Sequence, residues 1–171
     1  MSRTTLPLAA ALAVLCALPP AAKAPAAVPS DEVRLLGRLH GLFEHEMDLG
    51  RLAQRRGLSG LTRKLGARLE FDHDEADARL LRRAYRRGLT VPERDQDPED
   101  RLRGERLRTL QGPDFDRAFA DAVDEDQARA AALLHAERAL TADRRTRRDM
   151  DALLPLVDEH RKLAHYLQRR S

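Results

Sequence analysis

From Asp31 onward, apolar residues recur at steps of three and four, the period of a helix that buries one face. Four such stripes can be followed. The first carries Leu36, Leu39, Phe43, Gly50 and Ala53, and the second Leu65, Leu69, Ala76, Leu80 and Ala84. The third carries Phe119, Ala122, Ala130 and Leu133, and the fourth Met150, Leu153, Val157, Ala164 and Leu167. Residues that start and stop helices stand between the stripes. Ser30 precedes Asp31 and Glu32, an N-cap followed by acids that suit the positive end of the helix dipole. Gly57 closes the first segment, Ser59 caps the second and Gly88 stops it. Pro113 suits the first turn of the third, and Thr141 or Asp143 opens the fourth. The expected helices cover about 31–56, 60–87, 113–140 and 143–169. Pro155 lies inside the last and should kink it, because it lacks an N–H and crowds the preceding turn.

The first-to-second and third-to-fourth links are short, so each pair should form an antiparallel hairpin. The link from Leu89 to Gln111 is long. Its stretch PEDRLRGERLRTL has the composition of a short helix. The pattern predicts an all-α fold: an antiparallel four-helix bundle with a long crossover between the second and third helices, as in ferritin-like folds.

Each stripe is interrupted by one ionisable residue: Glu46, His73, Asp126 and His160. Each lies roughly 13 to 18 residues from its helix start, about 20–27 Å along the axis, so antiparallel packing should bring them to one level. Buried charges must be paired, neutralised or bound to metal. Two carboxylates and two imidazoles can satisfy one another, or can supply O,N ligands to Fe, Mn or Zn. Glu70 adds weight to the second option. Glu70-Phe71-Asp72-His73 is a Glu-x-x-His step, which ferritin-like di-metal sites use on two helices. The fourth helix lacks it, since Val157 stands three residues before His160. The candidate metal ligands are therefore Glu46, Glu70, His73, Asp126 and His160, with Asp72 and Glu125 as supporting or alternative ligands. His40, His45, His135 and His165 read as surface or boundary residues, and Asp74 and Asp77 as solvent-facing.

Composition narrows the class further. Charged residues make up 35% and aromatics 4%, a balance that favours helices. The first thirty residues differ: Arg3 precedes an apolar run from Leu6 to Leu18, then an Ala/Pro-rich stretch. Residues 1–26 read as a secretory signal peptide cleaved after about residue 24–26, with one helical domain over 27–171. The apolar run is short for a membrane span. Cys16, the single cysteine, falls in the removed segment unless it carries a lipid anchor, so the mature chain has no thiol chemistry. Loss of Arg3 and Lys23 lowers the basic count from 31 to 29 against 28 acids, so the net charge falls from +3 to +1. The arginine pairs are interspersed with acids, as on solvated helix faces. Neither an unbalanced basic surface nor stacking aromatics is present, which argues against nucleic-acid binding. Phosphate loops, zinc-finger spacings and nucleophile elbows are absent.

Four segments resemble a known family. Glu46-Met47-Asp48-Leu49-Gly50-Arg51-Leu52-Ala53 is similar to an "E-x-x-L-G-x-L-A" signature. Asp72-His73, Gly112-Pro113-Asp114-Phe115-Asp116-Arg117-Ala118-Phe119 and Leu154-Pro155-Leu156-Val157-Asp158-Glu159-His160 follow in the order of domain-of-unknown-function family 4142. The resemblance covers roughly residues 33 to 168. It implies a ferritin-like helical fold and an exported bacterial protein, and supplies no reaction. That family usually carries an Asp-His pair on the third helix, where this chain has Glu125-Asp126. Two functional expectations follow. One is a non-catalytic structural or interaction module of the cell envelope, with a buried polar layer and a protein partner. The other is a mono- or di-metal protein.

Overall fold

Helix ends lie where the start and stop residues stand. In the computed structural model, which describes residues 31–93 and 98–170, the secondary structure is helical throughout. The elements are α1 (Asp31–Arg56), α2 (Gly60–Arg86), α3 (Pro98–Thr109), α4 (Gly112–Leu140) and α5 (Arg144–Gln168). Ser59 caps α2 by accepting a hydrogen bond from the Thr62 N–H, and Asp143 caps α5 by accepting from Arg145 and Thr146. Gly88 ends the α2 segment at φ 65°, a left-handed turn that glycine adopts without strain. α5 continues through Pro155. The expected export signal, its cleavage site, Cys16 and the expected Ser30 cap lie outside the described residues.

α1 and α2 form one antiparallel hairpin, α4 and α5 a second, and the two pack on each other. Within the first hairpin the backbones nearly touch. A Cβ on Gly50 would stand 2.5 Å from the Gly66 carbonyl oxygen, and one on Gly66 2.6 Å from that of Gly50. Only two glycines permit this approach.

The start of α4 meets the α1–α2 turn, where buried Asp116 accepts hydrogen bonds from the backbone N–H groups of Leu58 (2.9 Å) and Ser59 (2.8 Å). The start of α5 meets the far end of α2, where Arg83 pairs with Asp143. The connection from Arg87 to Gln111 therefore returns the chain from one end of the molecule to the other, carrying α3 against α1 and α4. α3 has almost no apolar face, and only Gly104 and Leu107 are buried on it. Ion pairs to α4 hold it in place.

The apolar interior is divided. One cluster gathers Leu49, Leu52, Leu65, Leu69, Leu107, Phe115, Phe119, Val123 and Leu167 at the α1–α2 turn. The other gathers Leu35, Leu36, Leu39, Phe43, Leu80, Leu134, Met150 and Val157 at the opposite end. Between them, along every long helix, lies a polar layer. No helix among the described residues is long and apolar enough to cross a membrane.

Candidate functional site

Glu46, Asp126 and His160 are 0% exposed and His73 is 2% exposed, because each replaces an apolar residue on a buried stripe. Their surroundings separate them into three groups.

Asp126, on α4, is met by donors from three helices. His45 Nε2 of α1 lies 3.0 Å from its Oδ2, while Arg103 of α3 and Arg129 of α4 both reach its Oδ1. Asp100 joins through Arg129 and Arg103. A buried carboxylate with several hydrogen-bonded cations is compensated within the protein.

His73 and His160 form the second group, with ring centroids 5.1 Å apart and Phe43 on the other side of His73. His73 Nδ1 donates to the Leu69 carbonyl at 2.9 Å. Burial, and then the neighbouring His160, push its pKa down to about 4, so it is neutral at physiological pH. His160 is also pushed down by burial, against the pull of Asp72. Its Nε2 lies 3.1 Å from Asp72 Oδ2, and this fixes the tautomer: Nε2 carries the proton and Nδ1 the lone pair. Burial disfavours the charged form of Asp72, but Arg68 and His160 together outweigh it and hold its pKa low.

Glu46 behaves differently. Burial, and then Asp126, raise its pKa well above the ordinary carboxyl value. Gln127 is close enough to favour the carboxylate. Yet neither Glu46 oxygen nor either polar atom of the Gln127 amide closes a hydrogen bond of ordinary geometry. His160 Nδ1 is likewise unpartnered. Buried polar atoms normally find partners, so this is where the interior has polar capacity to spare.

The five expected ligands do not converge. Glu70 is turned outward, its side chain 35% exposed, and pairs with Arg51 (2.9 Å) and Gln54 (2.6 Å) rather than approaching His73. The Glu-x-x-His step fails because the groove beside Gly50 leaves Arg51 and Gln54 within reach of Glu70, and a paired surface carboxylate needs no desolvation. Glu125 is exposed and faces Arg103. Among the described residues, the group whose donor atoms lie within 4.8 Å of one another is His45, Asp100 and Asp126. Arg103 and Arg129 already supply positive charge there, so that donor set does not fit a metal.

His45, expected as a surface or boundary residue, and Asp77, expected to face solvent, are both buried, and Asp77 faces His40 at 2.7 Å. Together with His160–Asp72 and His165–Asp124 (2.9 Å), the His–Asp contacts make a ring. His40–Asp77 joins α1 to α2, and His45–Asp126 joins α1 to α4. His160–Asp72 joins α5 to α2, and His165–Asp124 joins α5 to α4. Each lateral interface between the four long helices carries one. Register about the turn could have signalled the first pair. Gly50 and Gly66 are each eight residues from Leu58 and face each other, and the same register brings His40, eighteen residues before Leu58, within one residue of Asp77, nineteen after it.

A search of curated proteins returns no match. A crystal structure titled as a DUF305 fragment from Deinococcus radiodurans aligns with a TM-score of 0.74 at 17% identity, covering 86% of this chain and 100% of that one. This likeness shows a shared helical fold. A family model described as "Domain of unknown function (DUF4142)" matches residues 17–167, and the chain belongs to that family.

Proposed function

We propose that this DUF4142 member is an exported, non-catalytic helical module of the bacterial cell envelope, whose polar layer fixes how four long helices register. The ring of His–Asp contacts carries this reading. One pair crosses each lateral interface, so sliding any helix by one turn strands a buried or half-buried carboxylate. Buried polar groups are best attested in this registering role. On this reading the arrangement is a ferritin-like four-helix bundle with one crossover, formed by residues 27–171 after removal of a signal over 1–26. Its partners are envelope proteins, not nucleic acid. The test is Asp126→Asn, which leaves Arg103 and Arg129 without their shared carboxylate. It should lower the unfolding free energy by about 3 kcal/mol. A variant as stable as the wild type would refute the clamp, and a cytoplasmic protein on cell fractionation would refute export.

A second reading is supported by the unpartnered atoms of Glu46, Gln127 and His160: a metal site of the Fe, Mn or Zn class at the bundle centre. Of the ligands named from the sequence (Glu46, Glu70, His73, Asp126 and His160), Asp126 and Glu70 are engaged by arginines. Only Glu46, His73 and His160 remain to serve it. Under this reading, metal analysis of untagged protein finds a stoichiometric ion that His160→Ala abolishes.

A further inference from the structure

At the end of the molecule away from the α1–α2 turn, the two hairpins do not close completely. α1, α2 and α5 enclose a cavity of about 420 Å³. Its walls are apolar: Leu36, Leu39, Phe43, Leu80, Met150 and Leu153 are among them. Its rim is not. Arg79, Arg82, Arg83 and Arg86 all line it, at the i, i+3, i+4, i+7 spacing that makes one continuous stripe on a helix. Against these four cations the lining contains two carboxylates, Glu32 and Asp149. Both are already engaged, Glu32 by Arg87 and Asp149 by Arg83. Arg79 pairs with Glu75. Among the described residues, Arg82 and Arg86 have no ion-pair partner.

We propose that this cavity binds a single-chain amphiphile with an anionic head, its aliphatic chain lying along Leu39, Leu80 and Met150 and its head held by Arg82 and Arg86. The size falls within the roughly 300–1,000 Å³ of small-ligand sites. The apolar lining gives the chain a dry wall on three helices. The guanidinium fork matches carboxylate and phosphate oxygens alike. The charge complementarity argues for an anion over a neutral head. This site is separate from the polar layer, so its test does not depend on the clamp reading.

The experiment is titration calorimetry on the full chain after delipidation, with laurate, dodecyl phosphate, the neutral dodecyl maltoside and acetate. Laurate and dodecyl phosphate should bind one to one, dodecyl maltoside at least tenfold more weakly, and acetate not at all. Binding of only one of the two anions would identify the head group. Arg82→Glu/Arg86→Glu, both exposed positions, should weaken anion binding at least tenfold and leave the helical circular dichroism unchanged. Leu153→Trp should abolish binding by filling the cavity, with its unfolding temperature confirming the fold. No anion binding to the full chain overturns the proposal. Equal affinity for dodecyl maltoside, or indifference to both variants, overturns it too.

Discussion

The two ends of the molecule are built from the same kind of helix and packed to different standards. At the α1–α2 turn, Phe115 and Phe119 are 0% exposed and stack with rings nearly parallel. Gly50 and Gly66 bring two backbones into contact there, Asp116 ties α4 to the turn, and α3 adds Leu107. At the other end, Leu36 is 8% and Leu80 9% exposed, a cavity opens beside the apolar cluster, and arginines stand around its mouth. The polar layer separates the two. A bundle needing only to fold gains nothing by leaving one end unfilled. The contrast assigns stability to the closed end and gives the open end room for a ligand.

The largest expected effect is a cavity at the closed end. Phe119→Ala should cost about 4 kcal/mol, because the surrounding helices are too tightly placed to collapse into the space. Leu36→Ala, beside an existing cavity, should cost less than about 2 kcal/mol, little beyond the transfer term. Denaturant unfolding of both variants measures the difference, and equal losses would erase the distinction between the ends.

The layer between them should make the protein acid-labile. His73 is neutral in the folded state down to about pH 4, whereas the unfolded chain protonates it near 6.5. Between those values the unfolded state binds more protons, so stability is full above about pH 6.5 and falls as the pH drops toward 4. The loss should reach about 3 kcal/mol, and burial of His160 acts in the same direction. His73→Leu should flatten that window. A wild type as stable at pH 4.5 as at pH 7 contradicts the neutral, buried imidazole.

Gly66→Ala tests the closed end from the backbone side. Its methyl group would meet the Gly50 carbonyl and Ala53, and overpacking of this kind costs about 2 kcal/mol. The smallest effect is a gain. Glu46 is buried with no hydrogen bond to its oxygens and has a raised pKa, so ionising it costs stability as the pH rises above the ordinary carboxyl range. Glu46→Gln should therefore raise stability at pH 7 by up to about 1 kcal/mol. A loss comparable to that of Asp126→Asn would mean that its charge is used.

The helical character of the chain was legible because buried stripes, glycine stops and Ser or Asp caps agree along its length. The four ionisable residues at mid-helix were legible as buried for the same reason. Their partners were not. Arg103 lies on α3, whose sequence is polar all round, and no periodicity reveals that it will reach Asp126. His45 stands a quarter-turn from Glu46 and reads as surface until α4 is placed beside it. Glu70 has the right spacing to His73, yet spacing along one helix does not reveal which neighbour reaches the side chain first, and here it is Arg51. The arginine stripe from Arg79 to Arg86 reads as a solvated face, and becomes a rim only when α5 closes over it.

Whether the layer is complete in itself rests on metal content. Protein purified without a histidine tag, and assayed by mass spectrometry for Fe, Mn and Zn, should carry far less than one ion per chain. His160→Ala and His73→Ala should leave that trace amount unchanged. A stoichiometric ion that either substitution removes would contradict a layer held together by its own His–Asp pairs and arginines.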